Sequence, residues 1–195
     1  AGAKYIVAQR HCAAEDAELV IVEDSALAAG KLAQARCGYP AGELINLAVT
    51  GTNGKTTVAF LARAIIEKAG HGCGLMGTVL YHTGKRSFDA PLTTPDCLTI
   101  ADMTKKMVED GAEYAVFEAS SHALSQRRLA AIDFKAAAFT NLSGDHLDYH
   151  ETAENYLNAK ALLFESLSPP AAPRRNQAAA HAPPLGGQQA AYGDP

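Results

Sequence analysis

Leu44-Ile45-Asn46-Leu47-Ala48-Val49-Thr50-Gly51-Thr52-Asn53-Gly54-Lys55-Thr56-Thr57 is the stretch on which the fold turns. Its first half, Leu44–Val49, is apolar and suits a strand. From Thr56 to Ala69 the pattern becomes that of a helix, with Gly70 as its stop. Between the two, Gly51 and Gly54 let the backbone fold tightly enough for several N–H groups to face one phosphate chain. The N-terminus of the helix adds the positive end of its dipole. Lys55 can reach the outer phosphates, and the Thr56 hydroxyl stands where a Mg2+ ion is ligated. Thr50, Gly51, Thr52, Asn53, Gly54, Lys55, Thr56 and Thr57 are therefore the candidate phosphate-binding residues. The spelling departs from the general G-x-x-x-x-G-K-[ST] pattern, because Val49 stands five positions before Gly54. A Gly-rich turn that only caps a helix is the alternative; the strand–loop–helix setting and the Gly-Lys-Thr ending argue against it.

Outward from this loop, apolar strand candidates alternate with helix candidates. Cys73–Met76, Tyr114–Phe117 and Ala136–Phe139 join Leu44–Val49 as strands. Asp96–Asp110 reads as a helix with Asp96 as its cap after Pro95 and Gly111 closing it. A further helix runs over Thr152–Leu167. Such alternation predicts an α/β domain of P-loop type, a mostly parallel sheet covered by helices on both faces, over residues 44–167. Residues 1–43 read as the end of a smaller α/β unit, with strands at Tyr5–Ala8 and Leu19–Val22 and a helix at Ser25–Arg36. From Ser168-Pro169-Pro170 to residue 195 the chain is rich in Pro, Ala, Gly and Gln. That composition cannot bury enough apolar surface to offset its ordering entropy, and it predicts a disordered or unrelated tail.

The formal net charge of -4 provides no basic field for nucleic acid and no polybasic anchor for a membrane. No apolar run approaches the roughly 18 residues of a membrane span. Residues 1–30 lack a basic stretch followed by an apolar one, so no signal peptide is expected. Cys12, Cys37, Cys73 and Cys97 lie far apart without a CxxC pair, which argues against zinc and for reduced thiols in the cytoplasm.

The spelling Thr50-Gly51-Thr52-Asn53-Gly54-Lys55-Thr56-Thr57 resembles the ATP loop of Mur ligases and of the related folylpolyglutamate and cyanophycin synthetases. Later segments narrow the likeness. Thr93-Thr94-Pro95 follows the second strand region, and Glu118-Ala119-Ser120-Ser121-His122-Ala123-Leu124-Ser125-Gln126-Arg127-Arg128 follows the third strand. Phe139-Thr140-Asn141-Leu142-Ser143-Gly144-Asp145-His146-Leu147-Asp148-Tyr149-His150 follows the fourth, with Tyr156 to Lys160 beyond. In this order they are similar to the Mur ligases that add the third residue to UDP-N-acetylmuramoyl-L-alanyl-D-glutamate. The resemblance covers residues 1–167 and departs at Gly144, where the family usually has a larger polar or basic residue. It implies a fragment of an ATP- and Mg2+-dependent amide-bond ligase acting through an acyl phosphate. Its partners would be the UDP-N-acetylmuramoyl dipeptide and an amino acid, meso-diaminopimelate or L-lysine. Residues 1–43 would be the end of the UDP-sugar-binding domain. With the amine-binding part not recognisable after Leu167, the chain is expected to bind nucleotide without completing ligation.

The resemblance also assigns roles. Glu118 and His146 would be metal ligands, together with Thr56. Lys160 would be carbamylated and act as an anion beside Mg2+, and Lys55, Lys160 and His146 would be the catalytic set. Arg128 would hold the acidic peptide, with Thr93, Thr94, Ser120 and Gln126 as hydrogen-bond donors. The residues considered alone allow plainer alternatives: a solvent-facing Glu118, a solvated loop His146, and Arg127-Arg128 on a solvated helix face. Lys160 shares a helix face with Tyr156, Leu163, Phe164 and Leu167, and by pattern alone it would snorkel its ammonium to water.

Overall fold

A computed structural model describes residues 2–13 and 16–167. Two short parallel strands, β1 (Tyr5–Ala8) and β2 (Glu18–Ile21), make a separate two-stranded sheet, followed by helix α1 (Ser25–Arg36), which Asp24 caps through Leu27 N–H. A 3-10 turn over Pro40–Glu43 leads into the main sheet. Its strands are β3 (Ile45–Thr50), β4 (Cys73–Met76), β5 (Leu80–His82), β6 (Ser87–Asp89), β7 (Tyr114–Glu118) and β8 (Phe134–Phe139). The order is β6-β5-β4-β7-β3-β8; β4, β7, β3 and β8 are parallel, and β5 and β6 add an antiparallel hairpin. The helices are α2 (Lys55–Lys68), α3 (Cys97–Glu109), α4 (Ser121–Ser125), α5 (Leu147–His150) and α6 (Ala153–Glu165). The mostly parallel α/β architecture expected from the alternation is the one observed.

The inner parallel strands β4, β7 and β3 are apolar on both faces because helices cover both, whereas the edge strand β8 is largely exposed. On β3 and β7, Val49 and Val116 join Ala59 of α2, Cys73 and Leu75 in one cluster. Their neighbours Ala48, Ala115 and Phe117 turn to the other cluster, with Met76, Ile100, Met103, Met107 and Phe134. Successive side chains alternate across a strand, so two residues in sequence feed two cores. On α3, Ile100, Met103, Thr104 and Met107 are buried at helical spacing, and Asp96 caps the first turn through Leu98 N–H and Thr99 N–H.

Several expectations are corrected. The β5–β6 hairpin was not foreseen: three-residue strands are too short for a periodic signal. Tyr81 and Phe88 face each other across a turn at Gly84, whose φ is +97°. Helix α6 ends at Glu165, and Leu167 instead forms a parallel bridge with Phe134 at the free edge of β8. Arg127 and Arg128 lie beyond the five-residue α4, in a turn where Arg127 has φ +55° and pairs with Asp24 at 2.6 Å. They do not form a solvated helix face. Gly144 has φ outside the left-handed region, and a Cβ there would meet nothing within 4 Å, so a larger residue would fit. The tail expected from residue 168 lies outside the described residues. Among the described residues, no helix is long and apolar enough to cross a membrane.

Candidate active site

The C-terminal ends of β3, β4, β7 and β8 all open on one edge of the sheet, where ligands of open α/β folds sit. The loop after β3 turns there on two glycines. Gly51 has φ +137°, and a Cβ on it would overlap the Thr140 hydroxyl; Gly54 has φ +81° and precedes α2. The loop is braced from the end of β8. Thr52 N–H donates to Asn141 O at 2.9 Å, Asn53 N–H donates to Asn141 Oδ1 at 3.0 Å, and the Thr140 hydroxyl donates to Asn53 O at 2.6 Å. Asp24, Asp96, Ser120 and Thr152 cap α1, α3, α4 and α6, whereas no side chain caps α2. Its first N–H groups thus have no acceptor from a capping residue, the arrangement that suits a phosphate.

Two ammonium groups meet at this loop. Lys55 Nζ donates to Gly51 O at 3.0 Å and to Thr52 O at 2.9 Å, while Lys160 Nζ donates to the same Gly51 carbonyl at 2.9 Å. Burial lowers the pKa of Lys55, against the raising influence of Glu118 and Asp145. Burial lowers that of Lys160 to about 8, helped by the nearby Lys55 charge. Lys160 is only 1% exposed, with its ammonium 4.4 Å over the Tyr156 ring. Snorkelling is therefore overturned: helix α6 faces the loop after β3, and the Gly51 carbonyl with the Tyr156 ring offers an inward partner. The Tyr156 hydroxyl lies 3.1 Å from Thr52 Oγ1.

Glu118 ends β7 and is fully buried, so the solvent-facing alternative is excluded as well. Its carboxylate accepts from the Thr56 hydroxyl at 2.8 Å, from Thr78 N–H at 3.0 Å and from the Thr78 hydroxyl at 3.0 Å. A Cβ on Gly77 would overlap its Oε1. The pairing of a carboxylate and a threonine hydroxyl beside the loop is an all-oxygen donor set, which fits the hard cation Mg2+. His146 stands apart from that pair in character. It is half-exposed at φ +53°, with its ring against His122 and Tyr156 and Nε2 3.6 Å from Asp145. Among the described residues, no group of three or more His, Cys, Asp or Glu side chains could hold a metal ion.

The remaining sequence-predicted residues form a chain leading away from Glu118. The buried Thr94 gives its hydroxyl proton to Glu118 O at 2.6 Å and accepts from Ser120 N–H at 3.1 Å. Its donor is spent on ordering the β7–α4 turn. Ser120 Oγ caps α4 by accepting from Ala123 N–H. Arg128 donates to Thr94 O at 2.7 Å and, through Nε and Nη2, to Gln126 Oε1 at 3.0 and 2.7 Å. Gln126 in turn donates to the Tyr149 hydroxyl at 3.3 Å. Thr57 is exposed on the first turn of α2. Sequence reasoning assigned no role to Gly77, Thr78, Thr140 or Asn141. The last two had a signal, a Thr-Asn pair closing a strand; Thr78 had none. The cavity of about 280 Å3 between α4 and α6, lined by Leu124, Leu129, Phe134 and Leu163, does not include the loop or Glu118.

Fold and loop place the chain among P-loop-type α/β domains with a mostly parallel sheet. It belongs to the Mur ligase family: the Mur ligase middle domain matches residues 49–176, past the limit expected at Leu167. It is 47% identical over 166 residues to the UDP-N-acetylmuramoyl-L-alanyl-D-glutamate--2,6-diaminopimelate ligase of Geobacillus kaustophilus, covering 85% of this chain and 34% of that protein. The ligase of the same name from Clostridium perfringens is 43% identical over 165 residues, covering 84% of this chain and 34% of that protein. A solved structure of such a ligase superposes with a TM-score of 0.67 at 32% identity, covering 82% of this chain and 32% of that one. The chain thus spans about a third of the length of the relatives it matches.

Proposed function

We propose that this chain is the nucleotide-binding part of an ATP-dependent ligase that adds the third amino acid to UDP-N-acetylmuramoyl-L-alanyl-D-glutamate. The observation that carries it is the fully buried Glu118 carboxylate on the Thr56 hydroxyl, at the mouth of a loop on which Lys55 and Lys160 converge. Two anions, a substrate carboxylate and the ATP γ-phosphate, must meet to form an acyl phosphate. A site for that step needs concentrated positive charge. Lys55 and the uncapped start of α2 supply part of it from this chain. Thr56 and Glu118 would hold Mg2+, with His146 and a carbamylated Lys160 as further ligands; the ion would offset phosphate charge. Arg128 with Gln126 would face the acidic dipeptide, and residues 1–43 would close the UDP-sugar-binding part. The names of the relatives favour 2,6-diaminopimelate over L-lysine as the amino acid, and the enzyme would work in the cytoplasm.

Calorimetry with MgADP tests the proposal. The unmodified chain is expected to bind, and a folded Lys55→Ala variant is expected to show no detectable binding. Equal affinity in the two would mean that the loop is structural only. A second reading is a nucleotide-binding module without ligation. Under that reading the same calorimetry succeeds, but ATP, acceptor and amino acid together release no phosphate.

A further inference from the structure

We infer that Thr78 is a positioning residue for Glu118, and that its hydroxyl sets the metal affinity of the site. The inference rests on the proposed function and adds a residue to it. Thr78 grips both carboxylate oxygens: its N–H bonds Oε1 at 3.0 Å and its hydroxyl bonds Oε2 at 3.0 Å. A carboxylate held at both ends cannot rotate about its terminal bond. Gly77 makes the grip possible, since any Cβ there would overlap Oε1. Thr56 also gives its proton to Oε2, so its lone pairs are left for a cation at the loop mouth. The Thr78 hydroxyl has one proton, and it goes to Glu118. The 3.1 Å contact between Thr78 Oγ1 and Thr93 Oγ1 must then be donated by Thr93. A single line of hydroxyls, Thr93 to Thr78 to Glu118, thus links the segment assigned to the acceptor with the oxygen pair assigned to the metal. Thr78 itself is exposed, while the carboxylate it holds is completely buried. That contrast is expected of a clamp placed over a site, and it means substitution at Thr78 leaves the core intact.

The test uses the 195-residue chain with saturating ADP and Mn2+ as the probe, counting bound Mn2+ by electron paramagnetic resonance. Groups that orient a metal ligand typically change metal affinity by about 10–100-fold when removed. Thr78→Val, which keeps shape and backbone N–H but loses the hydroxyl, is expected to weaken Mn2+ binding by that order. ADP affinity measured in EDTA is expected to stay unchanged, and Thr78→Ser is expected to restore Mn2+ affinity. A residue with only a structural role would move the melting temperature and leave Mn2+ affinity alone. Should Thr78→Val misfold, Thr78→Ala makes the same comparison. A folded variant without the hydroxyl that binds Mn2+ like the unmodified chain overturns the inference while leaving the proposed function standing. An unmodified chain that takes up no ADP overturns the proposed function, and this inference with it.

Discussion

Lys160 shows how one residue changes meaning between pattern and structure. Its helix neighbours Tyr156 and Leu163 are apolar, and by that pattern alone the ammonium would snorkel out to water. In the fold it points in, 2.9 Å from Gly51 O. With a pKa of about 8 against an ordinary 10.5, the folded chain binds fewer protons than the unfolded chain between those pH values. Stability must then rise with pH across that window, and this contribution is lost as pH falls through about 8. In carbon-dioxide-free buffer, we expect the unmodified chain to gain about 3 kcal/mol on Lys160→Met between pH 8 and pH 10.5. Urea unfolding at stepped pH measures it, and a flat difference would show that the ammonium is not desolvated. The same lowered pKa makes the neutral amine available near pH 8, the form that reacts with carbon dioxide.

At the scale of elements, the β3–loop–α2 unit was legible because its constraints are local. Strand apolarity, two glycines and a following lysine and threonine specify a turn that few other residues could make. Gly51 tests the point. Its φ of +137° is a conformation that L side chains rarely adopt, and a Cβ would also overlap the Thr140 hydroxyl. Gly51→Ala is expected to cost about 1–3 kcal/mol of stability and to abolish ADP binding in a chain that still folds. Thermal unfolding and calorimetry on the variant check both halves. The hairpin β5–β6 was illegible for the opposite reason. Its strands are three residues long, and what holds them is the burial of Tyr81 against the core and the pairing of β5 with β4.

For the whole molecule, ligand binding and folding are one equilibrium. A ligand that binds only the folded chain stabilises it, by about 2.7 kcal/mol at a hundred times its dissociation constant. For a chain of this size that is roughly 5–10 °C in melting temperature. MgADP is expected to raise the midpoint of the unmodified chain by that amount and to leave Lys55→Ala where it is. Differential scanning fluorimetry is sufficient, and an equal shift in both would place the nucleotide somewhere other than the loop after β3. The sheet order explains why a single loop can have this global effect. β3 lies between β7 and β8, so the loop, Glu118 and Asn141 leave neighbouring strands on one edge. Whatever orders one of them is felt by the others through Thr56 and Asn53.

The sequence by itself determined the α/β class, the positions of the four parallel strands, the glycine-built loop after β3 and the family. All of these rest on short-range rules: alternation of apolar runs, glycines at sharp turns, and motifs read within a dozen residues. Only the tertiary structure decided which polar groups meet. Glu118 and Thr56 are 62 positions apart, Lys160 and Gly51 are 109 apart, and the Thr78 clamp reaches Glu118 across 40 positions. No local pattern encodes such contacts. They exist because parallel strands β3, β4 and β7 bring their C-terminal ends to one edge, where a buried carboxylate must find donors or remain charged at great cost.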